Sequence, residues 1–192
     1  LGNEETRDRV GFVSPKTGKY VHNAFLVPKT KEELQKRKES FSLWANETYG
    51  VMSRLSGYAR SLVTGWYAKR EYFRQFDSEF PEKITRYFEQ ARDESRFITT
   101  AILEPQIDRS KQVYDHEDPD ALLRVVKETK EGLVVRGAKM IATSAPYAHD
   151  VIVAPSKPLQ DGDREYAHFM IVPLNLPGLH IVCRESFHSE KE

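Results

Sequence analysis

Arg54 and Tyr58 stand four residues apart in a stretch, Val51 to Gln75, whose apolar residues Met52, Leu55, Ala59, Leu62, Val63 and Trp66 recur at helical spacing. On a helix both side chains leave one face about one turn apart. A guanidinium and a phenol so placed can hold one oxygen anion together, the first through a charge-assisted bond and the second as a further donor. A phenolate substrate needs such a pair. By residue type alone the plainer reading of the two positions is a solvated arginine over a buried tyrosine.

A second candidate is the stretch from Gly132 to Val153. Leu133 to Arg136 and Val151 to Val153 are β-rich runs, and between them Gly137 to Pro146 consists of small residues that bring a bare backbone and the hydroxyls of Thr143 and Ser144 together. A flat polar ring could lie against that surface. Two strands and their connection are the plainer reading of the same pattern.

Other chemistries lack their residues. His22, His116, His149, His168, His180 and His188 are scattered, with none at the i, i+4 spacing of a helical zinc site. There is no glycine-rich dinucleotide fingerprint, no P-loop and no Gly-x-Ser-x-Gly elbow. The single cysteine, Cys183, cannot by itself hold a disulfide, an iron–sulfur cluster or a structural zinc ion. Lys and Arg number 29 against 29 for Asp and Glu, so no global field favours nucleic acid or an anionic membrane. The charged start and the lack of any apolar run near 18 residues predict a soluble, cytoplasmic protein.

The elements that would carry these residues change character along the chain. Residues 1–30 read as short extended pieces around the turn Ser14 to Lys19. Thr30 followed by Glu32 and Glu33 starts a helix with Leu34, Phe41, Trp44 and Ala45 on one face and Gly50 as its stop. Val51 to Gln75 predicts a second helix, in which Gly57 and Gly65 imply close packing. Pro81 starts a third, running from Glu82 to Phe97. Strand-like runs follow at Leu122 to Glu128, Gly132 to Ala138, Asp150 to Ala154, Tyr166 to Val172 and His180 to Arg184. The expectation is an α+β protein, with a boundary between about Ile98 and Asp120.

Three stretches, Trp44 to Tyr58, Gly132 to Pro146 and Val172-Pro-Leu-Asn-Leu-Pro-Gly-Leu-His-Ile-Val-Cys-Arg184, together resemble the 4-hydroxyphenylacetate 3-hydroxylase family, the flavin-dependent large components of two-component aromatic monooxygenases. The resemblance implies a catalytic, substrate-binding role for Arg54 and Tyr58, which fall where the family's arginine and tyrosine contact the phenolic hydroxyl. Ser56-Gly57 stands where the family usually has Pro-Asp. Thr100 takes the place of a histidine that touches both substrate and flavin, and a threonine carries no charge near neutral pH. Pro105-Gln-Ile-Asp-Arg109 resembles the family's flavin-contacting Pro-Gln-x-Asn/Asp-Arg segment. Thr100, Gln106, Ile107, Asp108, Arg109 and Thr143 are therefore expected at FAD, and Ser156, with Thr100, on the substrate side.

The resemblance further implies an acyl-CoA dehydrogenase-like build: an N-terminal extended arm and helical domain over 1–103, a β-barrel-like middle domain over 104–192, and no C-terminal helical bundle. A site lacking one wall is expected to bind FAD poorly alone and to leave apolar faces uncovered. The implied partners are a separate reductase that supplies reduced FAD as a diffusible co-substrate, O2, a small aromatic phenol, and further copies of the full-length chain in a homotetramer. Nucleic acid and membrane are not among them. A related dehydratase branch acting on 4-hydroxybutyryl-CoA needs a cysteine-ligated iron–sulfur cluster, which Cys183 alone argues against. A non-catalytic remnant or assembly subunit of the same fold is the alternative that Thr100 favours.

Overall fold

The computed structural model describes residues 4–51, 57–108, 110–111, 115–156 and 158–185. The chain begins with a helix, α1 (Glu4–Val10), where an extended arm is expected. Its first turn carries Glu4 and Glu5 and its last turn Arg7 and Arg9, which suits the helix dipole. Long-range bonds hold it: Asn23 Nδ2 donates to the Arg9 carbonyl at 2.9 Å and Ser40 Oγ to that of Val10 at 3.5 Å. β1 (Gly11–Val13) and β2 (Tyr20–His22) pair antiparallel across the predicted turn, which closes with Ser14 N–H on the Lys19 carbonyl at 2.8 Å.

α2 (Lys31–Glu47) starts at a capping box: Glu33 N–H donates to Thr30 Oγ1 at 3.2 Å, and Thr30 N–H to the Glu33 carboxylate at 3.3 Å. Past its end, Gly50 at φ +77° donates to the Ala45 carbonyl at 2.7 Å, the left-handed stop predicted there. The expected apolar face is only partly covered, with Phe41 and Ala45 half-buried. Leu34 is 59% exposed, and Ser40 is the buried residue of this helix.

The long second helix of the sequence reading is shorter. α3 covers Tyr58–Ala68 and a 3₁₀ turn follows over Arg70–Gln75. Gly57, its N-cap, packs so closely on Phe41 that an added Cβ would lie 2.1 Å from the ring, whereas Gly65 faces open space. α4 (Phe80–Asp93) has Pro81 in its first turn and ends before the predicted Phe97. Tyr67 of α3 stacks on Phe88 of α4 at 4.0 Å between ring centroids, and Phe25 meets Phe88 edge-on at 6.0 Å.

The second half holds β3 (Ile98–Ala101), β4 (Arg124–Thr129), β5 (Gly132–Arg136), β6 (Asp150–Val153) and β7 (Met170–Pro173). β3 pairs parallel with β6, which pairs antiparallel with β7, while β4 and β5 form a separate hairpin. Mixed α and β structure is thus present, but no closed barrel exists among the described residues, because the strands fall into small sheets. Two strand expectations are corrected: Arg164–Tyr166 is a 3₁₀ turn preceding a shorter β7, and His180 to Arg184 forms no strand.

The three-stranded sheet divides the interior. Ile98 and Ile152 pack with Ala59, Val63, Phe88 and Ala91 from α3 and α4. Ala101, Val151 and Val153, one step out of phase, pack on the other side against Leu123, Ala142 and Met170. By alternation, Thr100 shares the helix-facing side with Ile98, and Thr99 the opposite side with Ala101.

Candidate functional site

β3 is an edge strand, and the small-residue segment predicted to offer a bare backbone lies along it. Met140 N–H donates to the Leu103 carbonyl at 2.9 Å in an antiparallel bridge, and Thr99 Oγ1 donates to the Thr143 carbonyl at 2.5 Å. Met140 to Thr143 therefore runs antiparallel to β3. This brings the carbonyl of Thr143, whose own side chain is exposed, against Thr99, while half-buried Thr100, the next residue of β3, faces the other side of the sheet. Ile141 at φ 59° and Ser144 at φ 63° give the segment its sharp course. Gly137 opens it at φ +120°, packed so that an added Cβ would lie 2.2 Å from the Leu122 carbonyl oxygen.

The segment after β3 leaves the sheet at Pro105. Gln106 is exposed, and Ile107 is half-buried against Leu122 and Tyr166, so it anchors the segment through its apolar side chain. Asp108 is exposed and accepts from Ser110 N–H at 2.9 Å and Oγ at 2.6 Å, which holds its carboxyl below the usual range. Ser156 is exposed on the loop that leaves β6. Tyr58 is the first residue of α3 and 42% exposed. Arg54 and Arg109 lie outside the described residues, so the Arg54–Tyr58 pair is an expectation without geometry.

Among the buried charged groups that sequence reasoning missed, two lie at the ends of the β3–β6 pairing. Asp150 opens β6, fully buried, and accepts from Arg96 Nε at 2.6 Å, Arg96 Nη2 at 2.7 Å and Tyr87 Oη at 3.0 Å. Burial and then the Asp150 charge push the Tyr87 phenol well above its ordinary value, and the bond to Asp150 raises the Arg96 guanidinium. The second group is Lys139, whose Nζ bonds the Glu104 carboxylate, the Ala154 carbonyl at 2.8 Å and the Ile102 carbonyl at 3.4 Å. His168 is buried nearby in electrostatic terms: burial, then the Lys139 charge, lowers its pKa, and Glu104 opposes that. The available signal was a charged residue directly beside an apolar or small-residue run, at Asp150 and at Lys139.

His22 and His149 serve the fold. His22 Nδ1 accepts from Ala24 N–H at 2.9 Å, and burial lowers its pKa to about 3. His149 Nδ1 accepts from Phe97 N–H at 3.0 Å. Among the described residues no group of His, Cys, Asp and Glu could hold a metal ion, and no helix is long and apolar enough to cross a membrane.

The family model for the 4-hydroxyphenylacetate 3-hydroxylase N terminal matches residues 1–192. The chain belongs to the 4-hydroxyphenylacetate 3-hydroxylase family. It is 40% identical over 169 residues to the 4-hydroxyphenylacetate 3-monooxygenase oxygenase component of Thermus thermophilus, covering 88% of this chain and 34% of that one. A Geobacillus oxygenase component of the same name is 31% identical, over 95% of this chain and 37% of its own. Among solved structures, an oxygenase component (HpaB) complexed with FAD and 4-hydroxyphenylacetate superposes with a TM-score of 0.84 at 37% identity, over 95% of this chain and 37% of that one. An archaeal 4-hydroxybutyryl-CoA dehydratase from N. maritimus, at 22% identity and a TM-score of 0.70, shares the fold alone. This hydroxylase-family chain spans about a third of the length of the curated relatives it matches.

Proposed function

We propose that residues 1–192 form the N-terminal and middle parts, 1–103 and 104–192, of the oxygenase component of a cytoplasmic two-component monooxygenase. It hydroxylates a phenol of the 4-hydroxyphenylacetate kind, with reduced FAD from a separate reductase and O2, and assembles with further copies of itself. The observation that carries this reading is the edge of β3, along which the small-residue segment through Thr143 runs antiparallel and from whose end the segment Pro105–Asp108 continues.

The donor set fits a flavin. The Thr100 and Thr143 hydroxyls and the Gln106 amide are uncharged groups able to donate and accept, as the alternating carbonyls and N–H groups of an isoalloxazine edge require. Reduced FAD, when bound, supplies the activation of O2. Gln106 to Arg109, Thr100 and Thr143 would hold the cofactor. Arg54 and Tyr58 orient the phenol by holding its oxygen, and Ser156 borders the substrate. Since Thr100 carries no charge at neutral pH, stabilising a phenolate falls to Arg54 with Tyr58 as second donor.

A chimera in which residues 1–192 replace the matching stretch of the Thermus relative tests the reading. Anaerobic titration with reduced FAD, then admission of O2 with 4-hydroxyphenylacetate, is expected to give the catechol product. Arg54→Ala is expected to release peroxide and lower product at least ~10-fold. A chimera that binds no FAD would overturn the reading. Thr100 also supports a second one, a non-catalytic member of the fold, which product from Thr100→His but not from the parent chimera would favour.

A further inference from the structure

We propose that Lys139 is the positioning residue that fixes the spacing between the FAD-contacting segment 105–108 and the loop carrying Ser156; this rests on the flavin reading above. The parallel pairing of β3 with β6 ends at Ala101 opposite Val153. The next pair in that register is Ile102 and Ala154, and Lys139 Nζ donates to both of their carbonyls, at 3.4 and 2.8 Å. Its third bond goes to the carboxylate of Glu104. An ammonium has three N–H donors, so these acceptors use all of them.

The sequence explains why a side chain is needed there. Glu104 is followed by Pro105 and Ala154 by Pro155. Proline has no backbone N–H, so both strands lose a ladder donor shortly past the point where the pairing stops. Lys139 reaches in from the antiparallel segment and bridges the two chains just before they diverge, one toward Gln106 and the other toward Ser156.

The ammonium is nearly inaccessible, with the Lys139 side chain 6% exposed and that of Glu104 14% exposed. Burying such a pair costs desolvation that a well-packed apolar side chain avoids. An apolar residue could fill the space at less cost, but it could not join three acceptors on two diverging segments. Position is what the lysine contributes.

Hydrogen exchange on this chain tests the clamp directly. In Lys139→Met, peptides covering 102–108 and 154–156 are expected to exchange about tenfold faster, while those of α3 and α4 keep their rates. Lys139→Arg is expected to restore slow exchange at both segments. Should the single variant fail to fold, the double variant Lys139→Met/Glu104→Leu removes both charges together and should still exchange fast at the two segments. Unchanged exchange there in a folded variant would overturn the clamp.

In the chimera, Lys139→Met is expected to weaken FAD binding about tenfold, with recovery in Lys139→Arg. Fast exchange with unaltered FAD affinity would overturn the link to the cofactor. A parent chimera that binds no FAD would overturn the flavin reading, while the exchange pattern still decides for or against the clamp.

Discussion

The strands β3 and β6 are held at their two ends by buried ion pairs of different construction. At the N-terminal end both Asp150 oxygens are engaged, by two Arg96 nitrogens and the Tyr87 hydroxyl, and Arg96 Nη1 goes on to Glu94 at 2.8 Å. At the C-terminal end Glu104 engages Lys139 with one oxygen, while its Oε2 and both nitrogens of buried His168 have no partner among the described residues. Buried polar groups are normally satisfied, and exceptions concentrate where a protein has more to do than fold. The saturated end joins the sheet to α4, and the unsaturated end adjoins the segment proposed to meet the flavin.

The largest effect is expected from Asp150→Ala, which strands Arg96 without its carboxylate and should cost about 3–5 kcal/mol in urea unfolding. A loss below ~1 kcal/mol would erase the distinction between the two ends. Glu104→Gln keeps an acceptor for Lys139 and should cost less, about 1–2 kcal/mol by the same assay. If it matched Asp150→Ala, the C-terminal end would be as structural as the other.

pH should separate the ends further. The folded state lowers the His168 pKa, so below about pH 6.5 the unfolded chain binds more protons and stability falls, by at most ~1.4 kcal/mol per pH unit. Urea midpoints at pH 7.5 and 5.5, for the parent and His168→Gln, measure that share by difference. Tyr87 is shifted upward, so its contribution holds below about pH 10 and is lost as pH rises beyond it, a loss that Tyr87→Phe should abolish. The smallest change is expected from Thr99→Val, about 1 kcal/mol for one lost hydrogen bond to the exposed Thr143 segment. Thermal unfolding resolves it, and no change would mean that the segment is held by the Met140 bridge without help from Thr99.

Local signals were legible where their cause is local. The Thr30–Glu33 capping box, Pro81 in the first turn of α4, the turn between β1 and β2 and the β6 run all act within a few residues. α1 was not legible, because seven residues are too few to persist alone and its hold comes from Asn23 and Ser40 far along the chain. Helical spacing in Val51 to Gln75 overran α3, since periodicity does not reveal the change to 3₁₀ geometry after Ala68. At the site, the resemblance pointed to Thr100 and Thr143, and that the Thr143 segment lies along the edge of β3, bonded through Thr99, needed the sheet to appear. Lys139 was not singled out, because its place beside a small-residue run does not disclose a partner 35 residues away.

The parallel pairing of β3 with β6 also sets an order of assembly. Ile98 to Ala101 cannot find its neighbour until residues 102–149 have been made and laid down between them. Within that interval the β4–β5 hairpin can close on its own, since its partners adjoin in sequence. Contacts of long sequence separation form slowly because loop closure precedes any gain from pairing. During synthesis α3 and α4 therefore emerge with one side of their shared core uncovered, and Ile152 supplies that cover only when β6 arrives.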